Sequence, residues 1–349
     1  MRKLATLRTI ESITPIENSD HLAVAKMKNL GWEVVVAKSE YAVGDRVIYF
    51  EIDSALPILS PFEFLRSRCY KAFKSGDKVV FECYRLKTIK LRGVISQGLV
   101  IHAGKLGICA EIYDDGEDFT TSLLVEHYDE VNERYNPPLL GGADSAGSFP
   151  SFVPKTDEER IQNLVDYFET KKDVYYEVTE KADGSSMTVI FDRQNFPDDP
   201  FQICSRNFRL KKNTDSKWMA PLLELGLEQK MAAYNVSLAI QGELVGPGIN
   251  GNRDQNSKYR FLVFRVWDIT EQEFLSPERR LMLCTILGLE HVPILGRWKI
   301  FEDLDTLPKM LEFAEGKTDN GNEREGVVFK GDDGSHFKCI NNNYLLKGK

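Results

Sequence analysis

The sequence predicts an α+β protein in which a small β-barrel precedes a larger domain of mixed strands and helices. The chain has 349 residues, more than one domain usually contains. Its first part is rich in short strand-like runs and turn residues, a pattern typical of small barrels. Its remaining part alternates β-branched and aromatic runs with helical segments, which indicates an α+β arrangement.

The strand-like runs of the first part lie at residues 33–37, 46–52, 88–91 and 98–101. Residues 136–150 (NPPLLGGADSAGSFP) lack both helical and strand periodicity, and they are rich in proline, glycine and serine. Such a composition favours a linker. We therefore expect a small β-barrel with its linker at residues 1–150 and a second domain at residues 151–349.

The second domain is expected to open with a helix. Thr156 is a candidate N-cap with Glu159 as its capping-box partner, and apolar side chains recur at helical spacing after it. Further helices are predicted over residues 277–287 and 307–315. The apolar positions assigned to the first helix are Ile161, Leu164, Val165 and Phe168.

Composition excludes several classes of protein. The chain is 42% hydrophobic, and it shows neither an apolar run of transmembrane length nor a signal-peptide core. Its six cysteines are scattered without a C-x-x-C pair, which argues against a zinc site or a disulfide framework. We expect an intracellular protein, cytoplasmic or nuclear, that is monomeric and binds no membrane.

The net charge of −8 argues against indiscriminate coating of nucleic acid, but two basic clusters interrupt the acidic chain. Each alone is typical of a solvated surface, whereas two together suggest phosphate contacts, because local patches steer phosphates more than total charge does. The first cluster comprises Arg85, Lys87, Lys90 and Arg92, and the second Arg206, Arg209, Lys211, Lys212 and Lys217.

The stretch TEKADGSSMTVIF at residues 179–191 places Lys181 between a strand-like run and an Asp-Gly turn. A second strand-like run follows at once. Reactive groups are often presented where a rigid sheet meets a loop. A lysine becomes nucleophilic when its surroundings favour the neutral amine, so Lys181 is a candidate nucleophile if other functional residues converge on it.

Three later strands each carry one charged residue in apolar surroundings: Glu243, Glu325 and Lys338. An outward-pointing polar residue on a half-exposed strand explains any one of them. Together with Lys181 they favour a site in which Asp183, Glu243 and Glu325 hold a hydrated Mg²⁺. The lysines and the metal would then neutralise a phosphate during its transfer.

Two further segments suit nucleotide contacts. The strand at residues 261–269 is mostly apolar and expected to be buried, although an aromatic at a strand end can stack on a base. Arg206 and Asn207 follow a short apolar run and suit ribose or phosphate contacts. The sequence contains no Walker loop, G-x-G-x-x-G or H-E-x-x-H motif, and its five histidines show no ligand spacing.

In this order, the motifs resemble those of the covalent nucleotidyltransferase superfamily, which comprises polynucleotide ligases and mRNA-capping enzymes. Lys181-Ala182-Asp183-Gly184 is similar to the nucleophile motif Lys-x-Asp-Gly, and five later motifs follow in the family order. Residues 13–53 resemble the N-terminal OB domain of ATP-dependent RNA ligases of the Deinococcus/Naegleria type. The resemblance implies an OB-type β-barrel followed by a nucleotidyltransferase domain with an ATP-grasp-like antiparallel sheet.

The resemblance also implies ATP as the nucleotide and Mg²⁺ or Mn²⁺ as the metal. Lys181 would form a lysyl-adenylate, and AMP would then pass to a 5′-phosphate that a 3′-hydroxyl attacks. The partner would be RNA, in particular a nicked duplex with a ribonucleotide at its 3′-hydroxyl end. Asp183, Glu243 and Glu325 would hold the metal through water, Glu180 and Phe264 would lie at the adenine, and Arg206, Asn207 and Lys338 would contact ribose and phosphate.

One departure concerns the last motif, in which many relatives carry a second lysine two residues from the first. Here His336 and Ile340 occupy the flanking positions, and Lys330 is a candidate for supplying the missing charge. Two alternatives stay open on the sequence alone. They are a capping-type guanylyltransferase, which would be labelled by GTP, and a catalytically silent RNA-binding protein.

Overall fold

A computed structural model describes residues 2–17, 19–135 and 144–347 of the chain. The chain divides into two compact units, the first made of Met1–Pro138 and Ile161–Asp166 and the second of Leu139–Arg160 and Tyr167–Lys349. The boundary expected at residue 150 stays a prediction. Within the described ranges, no helix is both long enough and apolar enough to cross a lipid bilayer.

The first unit consists mainly of short antiparallel strands, as its turn-rich sequence predicts. Its two α-helices among the described residues are α1 (Arg66–Cys69) and α2 (Tyr128–Tyr135). The strands are β1 (Ala5–Pro15), β2 (Leu22–Met27), β3 (Glu33–Ala37), β4 (Arg46–Phe50), β5 (Ser54–Leu56), β6 (Tyr70–Ser75), β7 (Lys78–Arg85), β8 (Ile89–Leu91), β9 (Val94–Ser96), β10 (Leu99–His102) and β11 (Glu126–His127).

Five of these strands form a sheet in the order β10-β4-β1-β2-β3, which curls back on itself. The residues before β10 return to the opposite edge strand, where the Gln97 amide donates to the Glu33 carbonyl at 2.8 Å. The Val35 amide likewise donates to the Ser96 hydroxyl at 2.9 Å. These bonds close the small barrel that the strand pattern predicted.

The barrel core follows the period-2 alternation of its strands, because successive side chains of a strand point to opposite faces. Leu7, Ile48 and Phe50 are fully buried in one cluster with residues from the loops that follow β10. A second sheet, in the order β11-β5-β7-β6, extends this unit. The hairpin β8–β9 forms a separate two-stranded sheet and carries part of the first basic cluster.

The second unit combines two antiparallel-rich sheets with short helices, which confirms the α+β prediction. Its helices are α3 (Tyr167–Thr170), α4 (Ala220–Leu225), α5 (Leu227–Tyr234), α6 (Pro277–Leu287), α7 (Leu307–Ala314) and α8 (Asn342–Leu346). Its strands are β12 (Ser145–Ser148), β13 (Glu159–Arg160), β14 (Tyr176–Glu180), β15 (Ser185–Phe191), β16 (Phe201–Ser205), β17 (Phe208–Leu210), β18 (Leu238–Val245), β19 (Arg260–Asp268), β20 (Glu273–Phe274), β21 (Glu290–His291), β22 (Ile294–Trp298), β23 (Gly326–Gly331) and β24 (His336–Ile340).

The larger sheet of this unit has the order β12-β17-β16-β15-β18-β19-β20, with β21 paired to β19. The smaller sheet has the order β13-β24-β23-β14-β22. Helices α4, α5 and α6 cover one face of the larger sheet through an apolar core that includes Met187, Val263 and Leu283. Strands β14 and β15 belong to different sheets, so the turn between them carries the chain from one sheet to the other.

The helix predicted from Thr156 through Phe168 is wrong. Glu159 and Arg160 instead form strand β13, which pairs in parallel with β24. The next residues form a 3-10 helix, Ile161–Asn163, that belongs to the first unit, where the Trp32 indole donates to the Asn163 side chain at 2.5 Å. Strand pairing and this tertiary contact outweigh the local capping signal, because helix propensity is a weak preference.

The linker predicted at residues 136–150 falls partly outside the described residues, which do not include residues 136–143. Of the remainder, Ser145–Ser148 form strand β12 and pair with β17 at the edge of the larger sheet. The prediction that residues 145–148 lack strand structure is therefore wrong. Small residues give no alternating pattern, but an edge strand needs only backbone hydrogen bonds on one side.

Candidate active site

Lys181 lies at the junction that the sequence predicted. Strand β14 ends at Glu180, and β15 begins at Ser185 after the Asp183-Gly184 turn. The Lys181 amide donates to the Gly326 carbonyl of β23 at 3.0 Å. Its side-chain amine donates to Glu325 at 2.7 Å, so two segments that are far apart in the sequence meet at this lysine.

Glu243 approaches the same turn from β18, where it pairs with Ser186 of β15. The approach is close: a side-chain carbon on Gly184 would lie 2.8 Å from Cγ of Glu243 and 2.3 Å from the Leu244 carbonyl. Only glycine fits between these strands. The glycine of the motif therefore allows Glu243 to lie beside Lys181 and Asp183.

Asp183 is held by residues that the sequence analysis did not identify. Its carboxylate accepts hydrogen bonds from the Asn250 side chain and from the Tyr344 hydroxyl. The Arg253 guanidinium lies 3.5 Å from the centre of the Tyr344 ring and donates to the Tyr344 carbonyl at 3.1 Å. Helix α8 and the loop after β18 thus fix the orientation of Asp183.

The charges around Lys181 determine its protonation. Burial lowers the pKa of Lys181, but Glu325, Glu243 and Asp183 together outweigh burial and raise that pKa above its ordinary value. Lys181 is therefore a cation at neutral pH. Its side chain still keeps 26% of its surface exposed, so a substrate can reach it.

A pocket opens beside this lysine and is lined by three other predicted site residues, Glu180, Asp183 and Glu325. Burial raises the pKa of Glu180 to about 7, since nearby Asp254 and Asp319 add to the effect and Arg324 offsets only part of it. The other lining residues are Ala182, Val245, Arg253, Asp254, Asn256, Leu262, Thr318, Glu323 and Tyr344.

The carboxylates suit a hydrated divalent cation. Within the described part of the chain, no three His, Cys, Asp or Glu side chains converge closely enough to ligate one ion directly. Asp183, Glu243 and Glu325 all act electrostatically on Lys181, and together they bring three negative charges to the surroundings of its amine. Such a set fits an ion that retains several of its waters, as Mg²⁺ does.

The residues predicted to contact ribose and phosphate are not among those that line this pocket. Arg206 and Asn207 follow β16, and Lys338 lies on β24; none of the three lines the pocket at Lys181. Asp157 accepts from Lys338 at 3.0 Å and from Arg206 at 3.1 Å. Lys155 donates to the Asn207 side chain at 2.5 Å.

Three more cations of the second basic cluster, Lys212, Lys211 and Arg209, also have partners. Lys212 forms ion pairs with Asp199 and Glu228, and Lys211 approaches Asp144. The Arg209 guanidinium donates to the Ala146 carbonyl. These three cations are therefore compensated by acidic and carbonyl oxygens in this unit.

Lys330 and Phe264 are neighbours in the core behind the pocket. The Lys330 amine donates to the Phe264 carbonyl at 2.9 Å and lies 3.4 Å from Glu177. Burial lowers the pKa of Lys330 to about 8, helped by Arg280 and opposed by Glu177. The Phe264 side chain is partly buried against an apolar cluster that also contacts Ala182 of the nucleophile motif.

Comparison with known proteins places these features in one family. A protein-family model described as RNA ligase matches residues 174–347, and an OB-fold domain model matches residues 4–103. A sequence search of curated proteins returned no match.

Solved structures give a longer match. A ligand-free variant of the Naegleria gruberi RNA ligase is 33% identical, with a TM-score of 0.85 over 99% of this chain and 97% of that one. Two further variants of that ligase, one solved with ATP and Mn and one with AMP and Mn, are each 32% identical with a TM-score of 0.85. They cover 99% of both chains.

The fold and the motif order thus define a nucleotidyltransferase with an OB-fold domain at its N-terminus. The chain belongs to the RNA ligase family, at 33% identity over nearly its full length. This confirms the resemblance that the sequence motifs indicated, including the resemblance to RNA ligases in which the OB domain is N-terminal.

Proposed function

We propose that this RNA ligase is ATP-dependent and joins a 3′-hydroxyl to a 5′-phosphate through a lysyl-adenylate on Lys181. One observation carries the proposal: the motif lysine lies beside Glu325, Glu243 and Asp183, brought together from three separate segments. The relatives solved with ATP or AMP and Mn support the choice of nucleotide and metal.

In the first step, the Lys181 amine attacks the α-phosphorus of ATP, a P–N bond forms, and the bond to pyrophosphate breaks. The amine must first lose its proton, because the carboxylates hold it as a cation. Mg²⁺ or Mn²⁺, held through water by Asp183, Glu243 and Glu325, would supply positive charge that neutralises the phosphates and favours the neutral amine. Asn250 and Tyr344 orient Asp183 for this role.

The remaining predicted residues take part in binding the nucleotide. Glu180 is assigned to the adenine, where its raised pKa leaves the carboxyl group able to donate or accept a hydrogen bond near neutral pH. Phe264 is assigned to stacking on the base. We assign Arg206, Asn207 and Lys338 to ribose and phosphate. Lys330 contributes positive charge to this site, and its amine also positions the Phe264 backbone through a hydrogen bond to the Phe264 carbonyl.

In the second and third steps, AMP moves to the 5′-phosphate of an RNA strand, and a 3′-hydroxyl then displaces it to seal the strand. These steps need two nucleic-acid ends aligned at Lys181. The N-terminal unit carries a basic cluster suited to the backbone of such a substrate, since OB folds bind strands through positive grooves.

The first test is self-labelling. Purified protein with labelled ATP and Mg²⁺ or Mn²⁺ should gain one covalent AMP, and Lys181→Ala should gain none. Lys258→Ala, which removes an exposed lysine paired with Glu224, is the matched control and should label normally. Labelling of the Lys181→Ala protein would contradict the assignment of the nucleophile, and preferential labelling by GTP would favour a capping-type guanylyltransferase.

The second test concerns the sugar at the 3′ side of the break. A 2′-hydroxyl is the local feature by which a protein distinguishes RNA from DNA. A duplex nick ending in a few ribonucleotides with a 3′-hydroxyl should therefore be sealed, whatever sugar carries the 5′-phosphate. Equal sealing of a matched all-DNA nick would contradict a requirement for RNA and favour a general polynucleotide ligase.

A further inference from the structure

Asp157 contacts two residues that we assign to the phosphate of the nucleotide. One carboxylate oxygen accepts from Lys338 at 3.0 Å, and the other accepts from Arg206 at 3.1 Å. Lys338 lies on the smaller sheet, whereas Arg206 lies between β16 and β17 of the larger sheet. A single carboxylate thus connects cations from both sheets of the second unit.

The chain around Asp157 is held in this position by its neighbours. Two residues before it, Lys155 donates to the Asn207 side chain, and further upstream the Phe149 amide donates to the Asn207 carbonyl at 3.0 Å. Two residues after it, Glu159 begins β13, which pairs with β24 beside Lys338. The segment 155–157 therefore extends from the hairpin of Arg206 to the strand of Lys338.

The chemistry of this contact matches that of a bound phosphate. A phosphate, like a carboxylate, offers oxygens that accept charge-assisted hydrogen bonds from lysine and arginine. Lys338 is largely buried, with 12% of its side chain exposed, while Asp157 keeps 47% exposed. The carboxylate is consequently the more accessible member of the pair, and an incoming anion can replace it.

We infer that Asp157 is a positioning residue that occupies Arg206 and Lys338 in place of a phosphate and is displaced when the nucleotide binds. This inference rests on the proposed nucleotide site. In the nucleotide-free protein, Asp157 offsets the repulsion between positive charges and keeps their side chains oriented. On binding, the phosphate oxygens take over its two hydrogen bonds, and the released carboxylate turns to solvent. Weak anions are thereby excluded, since a ligand must bind these cations better than Asp157 does.

The experiment compares wild-type protein with Asp157→Asn, which keeps the shape of the side chain and removes its charge. AMP is the probe, because it carries the phosphate yet has no pyrophosphate leaving group and so cannot adenylylate Lys181. Calorimetry should show that AMP binds Asp157→Asn about fivefold more tightly than wild type. An effect of this size is typical of ion pairs that are partly exposed to water. The KM for ATP in self-labelling should fall by a similar factor, with little change in the maximal rate.

Asp173→Asn is the matched control, since it removes a carboxylate that pairs with Lys299 elsewhere in the same unit. It should leave AMP affinity unchanged. Weaker or equal AMP binding by Asp157→Asn, or no AMP binding by either protein, would overturn the inference. The proposed function is tested separately, by the labelling of the wild-type protein with ATP, which does not depend on how Asp157→Asn binds AMP.

Discussion

The two units of the protein present their cations differently. In the second unit, Lys181 is paired with Glu325, and Lys338 is paired with Asp157. In the first unit, the basic residues of β7 and its flanks lie beside one another. Burial lowers the pKa of Lys87, and the neighbouring charges of Arg85 and Lys71 lower it further.

Under the proposed function, this difference corresponds to two ways of binding a phosphate group. A cation that binds the nucleotide must first be released from the carboxylate that pairs with it, so the strength of that ion pair affects nucleotide binding. A cluster of like charges has no such partner and gains stability when a polyanion covers it. Asp53 approaches Arg85 at 4.0 Å. We therefore propose that Lys71, Arg85 and Lys87 contact the backbone of the RNA substrate.

The largest effect is expected from removing the carboxylates beside Lys181. Glu243→Ala and Glu325→Ala should each reduce the rate of self-labelling roughly 100-fold, because each removes an anchor for the hydrated metal. Labelling is measured by the AMP adduct at saturating ATP. Glu224→Ala, which removes an exposed carboxylate of the same unit, should label normally. Near-normal labelling of both site variants would indicate that these glutamates are ordinary strand residues with no part in binding the metal.

A smaller effect, confined to sealing, is expected from the first unit. Lys71→Glu combined with Lys87→Glu should reduce nick sealing about tenfold at moderate salt and make it less salt-dependent, because phosphate contacts release counterions. Self-labelling should not change, since it needs only ATP and metal.

The matched control for this double variant makes the same charge changes at Lys28 and Lys105, which are exposed in the same unit. If the control lowers sealing equally, the loss reflects overall charge and not this cluster. If sealing is unaffected by Lys71→Glu with Lys87→Glu, the RNA backbone does not cross the cluster.

The smallest effect concerns Glu180, whose burial outweighs its neighbouring cation and raises its pKa from 4.5 to about 7. The folded protein binds this proton more tightly than the unfolded chain does. The stability due to Glu180 is therefore fully present below pH 4.5 and is lost as the pH rises towards 7.

Glu180→Gln removes this dependence. Between pH 4.5 and 7, the free energy of unfolding of the wild type should fall relative to that of the variant. The fall should be about 1 kcal/mol, because partial exposure to water reduces the effect of the full shift. Chemical denaturation of both proteins at several pH values measures it, with Glu224→Gln as control. Parallel stability curves for the wild type and Glu180→Gln would contradict the raised pKa.

Much of this architecture was predictable because the functional residues lie on strands with clear local signals. The β-branched runs on either side of Lys181 became β14 and β15, and the predicted helix at residues 277–287 begins and ends as expected. The convergence of Glu243 and Glu325 on Lys181 was inferable only from the order of the motifs, since the distances between them depend on sheet pairing.

The rest depended on contacts that no local pattern encodes. Tyr344 and Asn250 reach Asp183 from far along the chain, and nothing in their surrounding sequence marks them as partners. Asp157 stood inside a predicted helix start, where it resembled an ordinary acidic residue of a first turn. Its contacts with Lys338 and Arg206 arise because β13 pairs with β24, a pairing two residues long.

The path of the chain between the units also has a consequence for synthesis on the ribosome. Ile161–Asp166 belongs to the first unit, where the Gly31 amide donates to the Gln162 carbonyl at 2.7 Å and Asn163 donates to Glu51. A nascent chain that has emerged only as far as residue 138 lacks this segment. The first unit therefore cannot form these hydrogen bonds until the chain has emerged through residue 166. Vectorial folding of the N-terminal unit thus ends only after the first strands of the next unit have left the exit tunnel.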